Sequence, residues 1–196
     1  MEPELHASVG DVDARLTRAR NSVASSAAQI KNALGSIIAL TSTPPPANQP
    51  LWRRVDVFAR ADLKELLNPD AQSDIAACLR LLVSLHNRLT DARWEISTAR
   101  DTAGREILRG RGSGITTTTT ITTTTTTESI ELLADVFTTV ADALVSLDTR
   151  LTAQTVFTAP LPISVRAYVR EIQAATARIS AQPDDAWTWE SHLDAD

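Results

Sequence analysis

Cysteine, aromatic residues, glycine and long apolar runs are all scarce in this chain of 196 residues, and each shortage closes off a class of protein. Cys78 stands alone, so neither an internal disulfide nor a thiolate metal cluster can form. Only 4% of the residues are Phe, Trp or Tyr, and six are glycine. Sheets draw on aromatic and β-branched side chains, whereas the alanine and leucine that carry much of the apolar share here favour helix. No stretch approaches the roughly 20 apolar residues that a membrane-spanning helix needs. The start, MEPELHASVGDVDAR, is acidic and lacks the basic and apolar regions of a secretory signal. Positive charge is short as well: 19 Lys and Arg stand against 24 Asp and Glu, a net charge of -5. A general DNA binder is not expected, because phosphate neutralisation needs a surplus of cations. These shortages predict a cytoplasmic or nuclear protein with one main domain.

The charge is unevenly placed. Residues through Ile115 carry a net +2, and those from Thr116 onward a net -7. Halves of opposite sign can attract each other or face different partners.

What the chain does have is helical seams. Leu5, Val9, Val12, Leu16, Ala19, Val23, Ile30, Ala33, Ile37 and Leu40 follow steps of three and four, with Ser26 the polar member. That heptad-like, coiled-coil spacing predicts a first helix from Glu4 to Leu40, on the order of 55 Å long at 1.5 Å per residue. TSTPPPANQP stops it. LWRRVDVFARADLKELL predicts a second, shorter helix ended by Asn68-Pro69. Ile75, Cys78, Leu82, Leu85, Leu89, Ala92, Ile96, Ala99 and Ala103 predict a third, from near Asp70 to about Leu108. A fourth opens at Glu128 and carries Ile130, Leu133, Phe137, Val140, Leu144, Leu147 and Leu151 without a miss. A fifth runs from about Ile163 to Ala181, and Pro183 ends it. The fold class expected is all-α: an elongated antiparallel bundle of four to five helices, three of them long, over residues 1–182.

GRGSGITTTTTITTTTTTES interrupts this pattern, with eleven threonines broken only by Ile121. Threonine is stiff at χ1 and hydrogen-bonds its own backbone, so the tract is poor helix material. Its polarity does not alternate, and no second β-branched run is there to pair with it. Residues 110–127 are therefore expected to be a disordered, low-complexity linker, with a self-associating Thr-rich strand as the other reading.

Chemistry is sparse. His6, His86 and His192 have no partner at ligand spacing, and Cys78 lies on an apolar seam with no cation beside it to lower its pKa. Asp135, Asp142 and Asp148 fall on the solvent side of the fourth helix and do not converge as an acid–base pair must. No enzyme activity, cofactor or metal is expected. Arg105, Arg109 and Arg111 form a basic knot at what the periodicity makes a helix end. They either complement the helix C-terminus or contact an anion or RNA, resembling a minimal Arg-Gly segment.

The acidic tail, residues 183–196, places Trp187 and Trp189 among Asp184, Asp185, Glu190, Asp194 and Asp196. Over these few residues it resembles the tryptophan-acidic peptides read by cargo-binding repeat domains. The resemblance implies a partner-binding role for Trp187, Trp189, Glu190 and Leu193, the last sharing a face with Trp189 if the tail turns helical on binding. The other reading has both indoles folding back to cap the bundle. Trp52 and Trp94 are expected in helices at bundle edges. Together these features predict a non-catalytic protein acting through protein contacts, as an adaptor or structural subunit, with homo- or hetero-oligomers formed through its seams. A membrane- or lipid-associating bundle, of a signalling or pore-forming kind, is the alternative. The negative charge and the lack of a basic, aromatic face count against it.

Overall fold

Side chains repeating at three and four along the chain need a place to bury, and most of them find one. In the computed structural model, which describes residues 9–100, 105–113, 119–156, 165–183 and 186–193, five helices form. They are α1 (Val9–Ala39), α2 (Leu51–Arg60), α3 (Pro69–Asp91), α4 (Thr127–Val156) and α5 (Val165–Ser180). On α4, all seven seam residues from Ile130 to Leu151 are fully buried. On α1, Val12, Leu16, Ala19, Val23, Ile30, Ala33 and Ile37 are buried, and so is Ser26. Leu5, His6 and Ile163 lie outside the described residues.

The all-α expectation is corrected. Four strands, β1 (Arg93–Arg100), β2 (Glu106–Ser113), β3 (Thr119–Thr126) and β4 (Trp187–Leu193), make one antiparallel sheet in the order β1-β2-β3-β4. The third helix therefore ends at Asp91 rather than near Leu108, and Trp94 belongs to a strand. The described part of the threonine tract is an interior strand, not a disordered linker, and the tail supplies the strand beside it. The physical reason is that β-branched residues fit a pleated, half-buried surface once neighbours of matching length flank them on both sides. Those neighbours are an Arg-Gly strand and a Trp-rich strand, neither of them β-branched in most positions.

The chain divides into two compact units. One comprises residues 1–22, 86–134 and 182–196, and the other residues 23–85 and 135–181. The boundaries fall inside α1, α3 and α4. The second unit is helical, and polar contacts tie its helices together. Ser26 of α1 meets Thr138 of α4 through their hydroxyls at 3.3 Å. On α5, Thr176 donates to the Cys78 sulfur on α3 at 3.3 Å, and Gln173 donates to Asp74 at 3.1 Å. Buried Gln72 of α3 donates to the carbonyls of Phe58 (2.6 Å) and Ala61 (2.9 Å) at the end of α2, a second donor to each, since they also accept from the Ala61 and Leu63 backbone N–H groups. Arg54 of α2, only 4% exposed, donates to the carbonyls of Lys31 in α1 and Pro46 in the proline-rich loop. It reaches the α1 backbone because position 35 is glycine: a Cβ there would collide with the Arg54 guanidinium.

The first unit holds the whole sheet. Within it Arg15 of α1 forks onto Glu131 of α4, Nε to Oε1 at 2.9 Å and Nη2 to Oε2 at 2.7 Å, with Glu128 a further neighbour at 3.4 Å. Hydrogen bonding to Arg15 holds the Glu131 carboxyl below its ordinary pKa, against the opposing effect of burial, with the charges of Arg15 and Arg18 adding to the depression. No helix of the described residues is long and apolar enough to cross a membrane.

Candidate functional site

Alternation along a strand sends successive side chains to opposite faces, and the register sorts this sheet into two different surfaces. Arg93, Arg111, Thr122 and Glu190 lie opposite one another in one row, and Glu95, Arg109, Thr124 and Thr188 in the next row on that face. Arg93, Glu95, Arg109, Arg111, Thr188 and Glu190 are exposed, while Thr122 and Thr124 are half-buried. The rows on the other face are Trp94, Gly110, Thr123 and Trp189, then Ile96, Leu108, Thr125 and Trp187. There Leu108, Gly110, Thr123 and Thr125 are buried. One face is thus polar and rich in arginine, and the other is the inner face.

β2 has this two-sidedness in its sequence. ILRGRG alternates arginine outward with leucine or glycine inward. Gly110 is required because the Trp94 ring of the opposing strand lies over it: an added Cβ would stand 3.0 Å from that ring and 2.9 Å from the Ala92 Cβ. The basic knot predicted at a helix end is therefore a strand pattern. Arg109 and Arg111 share the outer face at alternate positions, and the partner that sequence reasoning missed is Arg93, placed directly across from Arg111. Arg105 precedes β2, half-buried, and is not part of that pair of rows. Among the described residues, the side chains of Arg93, Arg109 and Arg111 form no hydrogen bond or ion pair. The alternation of Arg93 and Glu95 with Trp94 and Ile96 was the signal that could have revealed the strand.

The tail is built in rather than loose. Thr126, the last residue of β3, caps α4: its hydroxyl oxygen accepts from the Ser129 backbone N–H at 3.2 Å. A polar chain continues from there. Gln182 Nε2 donates to the Ser129 hydroxyl at 3.0 Å, and Trp187 Nε1 donates to Gln182 Oε1 at 3.2 Å. The Thr125 hydroxyl donates to the Ala186 carbonyl at 2.7 Å. Trp187 is half-buried by these contacts, so this indole folds back, as one of the two readings of the tail expected. Trp189 stays 52% exposed, with the Arg88 guanidinium 4.0 Å from its ring centre. Burial lowers the pKa of Arg88. Glu190 is exposed in β4, and Leu193 ends that strand opposite Thr119. Trp189 and Glu190, neighbours along β4, therefore lie on opposite faces of the sheet.

Outside the sheet, an open groove of about 530 Å³ runs between α2 and the loop before it, lined by Ser42, Gln49, Trp52, Arg53, Asp56, Val57, Arg60 and Ala61. Trp52 stacks with Arg53 at 5.1 Å, and Asp56 pairs with Arg80 at 3.6 Å. Cys78 is half-buried, and among the described residues no three His, Cys, Asp or Glu side chains gather at metal-binding distance. Compared with protein-family models, with curated proteins and with solved structures, the chain matches none.

Proposed function

We propose that the protein works through protein contacts, as an adaptor or structural subunit of a larger assembly, and that the four-stranded sheet is its contact surface. The observation that carries this reading is the sheet's pair of open edges. Neither β1 nor β4 has a neighbour on its outer side among the described residues. An open edge presents a row of backbone donors and acceptors that an added strand can pair with. The side chains of the sheet supply what a contact needs: an exposed indole at Trp189 and three exposed arginines whose side chains have no partner among the described residues. Tryptophan and arginine are the residue types enriched at the energetic centres of interfaces.

The test combines light scattering of the purified full chain over a range of concentrations with capture experiments on the immobilised full chain. The reading expects either self-association or retention of a saturable, stoichiometric partner, and expects Trp189→Ser together with Arg111→Glu to weaken it. A chain that stays strictly monomeric and retains no partner overturns it.

A further inference from the structure

We propose that the occupant of the β1 edge is β4 of a second copy, so that the sheet continues antiparallel from one molecule into the next. The inference rests on the protein-contact reading above and names the partner. Its starting point is Arg93 directly opposite Arg111, both exposed. Like charges facing each other across a strand pair are unfavourable. The nearest carboxylate on that face, Glu95, already lies opposite Arg109. Among the described residues no ion pair forms at Arg93, and a strand added beyond it can supply a counter-charge.

The sheet's own rows supply the match. The row that begins at Arg93 ends at Glu190, and the row that begins at Trp94 ends at Trp189. The next two run from Glu95 to Thr188 and from Ile96 to Trp187. Setting β4 of a second copy beside β1 without shifting the rows joins Arg93 to glutamate, Trp94 to tryptophan, Glu95 to threonine and Ile96 to tryptophan. Opposite-charge, aromatic–aromatic and aromatic–β-branched pairs are the cross-strand combinations that stabilise sheets. Direction agrees too. Each neighbouring pair in the sheet is antiparallel, so β1 and β4 run oppositely, and a copy displaced sideways offers β4 antiparallel to β1 with the same face outward. Moving the register by two residues in one sense sets Glu95 against Glu190, and in the other sets Arg93 against Thr188, so of these three alignments only the unshifted one joins Arg93 to glutamate. Pairing β1 with itself about Trp94 joins Arg93 to Glu95 instead, and leaves Trp189 uncovered. The contact is heterologous, so it propagates until a ring closes or a filament grows.

Light scattering of the full chain, from about 1 to several hundred micromolar at low salt, tests this with Arg93→Glu and Glu190→Arg. Circular dichroism confirms that each variant is folded. The wild type is expected to grow with concentration. Each single variant should need at least about tenfold higher concentration to do so, the loss of roughly one charge-pair interaction. An equimolar mixture of the two variants should assemble again, because every junction between unlike variants rejoins opposite charges. Three results overturn the proposal. One is a wild type that is monomeric throughout, even if it retains some other protein, in which case the contact reading stands and this one fails. Another is Glu190→Arg assembling like the wild type while Arg93→Glu does not, which means β1 pairs with itself. The third is a mixture of folded variants that stays monomeric.

Discussion

At the scale of single residues, glycine and arginine explain each other in the helical unit. Gly35 sits inside α1, where alanine would ordinarily gain about 1 kcal/mol of helix propensity. Its Cβ would displace the Arg54 guanidinium from the Lys31 and Pro46 carbonyls, and a charged hydrogen bond lost in a buried place costs about 1.5–3 kcal/mol. Gly35→Ala should therefore destabilise by roughly 1 kcal/mol in urea denaturation. Gly35→Ala combined with Arg54→Met should lose less than the sum of the two single changes, since the collision is removed. A stabilised Gly35→Ala would show that the guanidinium is not held where it is described.

Glu131 gives a pH-dependent counterpart in the other unit. Its folded pKa is depressed, chiefly by the hydrogen bond from Arg15, so its contribution is present above the ordinary carboxylate pKa. That contribution disappears as pH falls through the folded value. Both side chains are partly exposed, 23% for Arg15 and 40% for Glu131, so the pair is worth only about 0.5–1 kcal/mol even with its forked geometry. Glu131→Gln should cost that amount at pH 7 and progressively less at acid pH, as the carboxyl becomes protonated in the folded state too. An equal loss at neutral and acid pH would mean that the charge on Glu131 is not what matters.

At the scale of elements, the helices were legible in the sequence and the strands were not. A helical seam is written in large apolar residues at fixed spacing, and α4 buries all seven of its seam positions because nothing local contradicts that pattern. At the end of α3 the same spacing misleads. Ile96 and Ala99 continue the three-and-four count by coincidence, while Arg-Trp-Glu-Ile already alternates at the strand period. The threonine tract hides its two faces for a different reason. Threonine carries a methyl and a hydroxyl on the same carbon, so Thr123 and Thr125 face inward and Thr122 and Thr124 outward with no change of residue type. The alternation is visible only in the strands beside it, Arg-Gly-Arg-Gly and Trp-Thr-Trp-Glu. The site follows the same logic: Arg109, Arg111 and the tail tryptophans stood out as residues, but their arrangement depended on pairings far apart in sequence. Thr124→Pro separates a strand from a linker. Within the sheet it breaks a ladder bond and leaves an acceptor unmet, a loss of at least about 1–3 kcal/mol. In a linker, proline would be neutral or stabilise by about 0.4–1 kcal/mol. Far-UV circular dichroism during urea unfolding reads the difference.

At the scale of the whole molecule, the chain joins a helical unit, held by buried seams and a few polar contacts, with a second unit that carries a sheet whose two edges have no neighbouring strand among the described residues. Three of the four tryptophans, Trp94, Trp187 and Trp189, belong to the sheet-bearing unit, and Trp52 to the other. The proposed contact role belongs to the first of these units, and it depends on β3 being an interior strand, because only then do Arg111 and Glu190 stand in one row. Amide hydrogen exchange along Thr122–Thr125 measures that directly. Amides paired to β2 and β4 should exchange orders of magnitude more slowly than an unstructured chain. Exchange of all four at the free-chain rate, with α4 still protected, would contradict the sheet and the contact surface built on it.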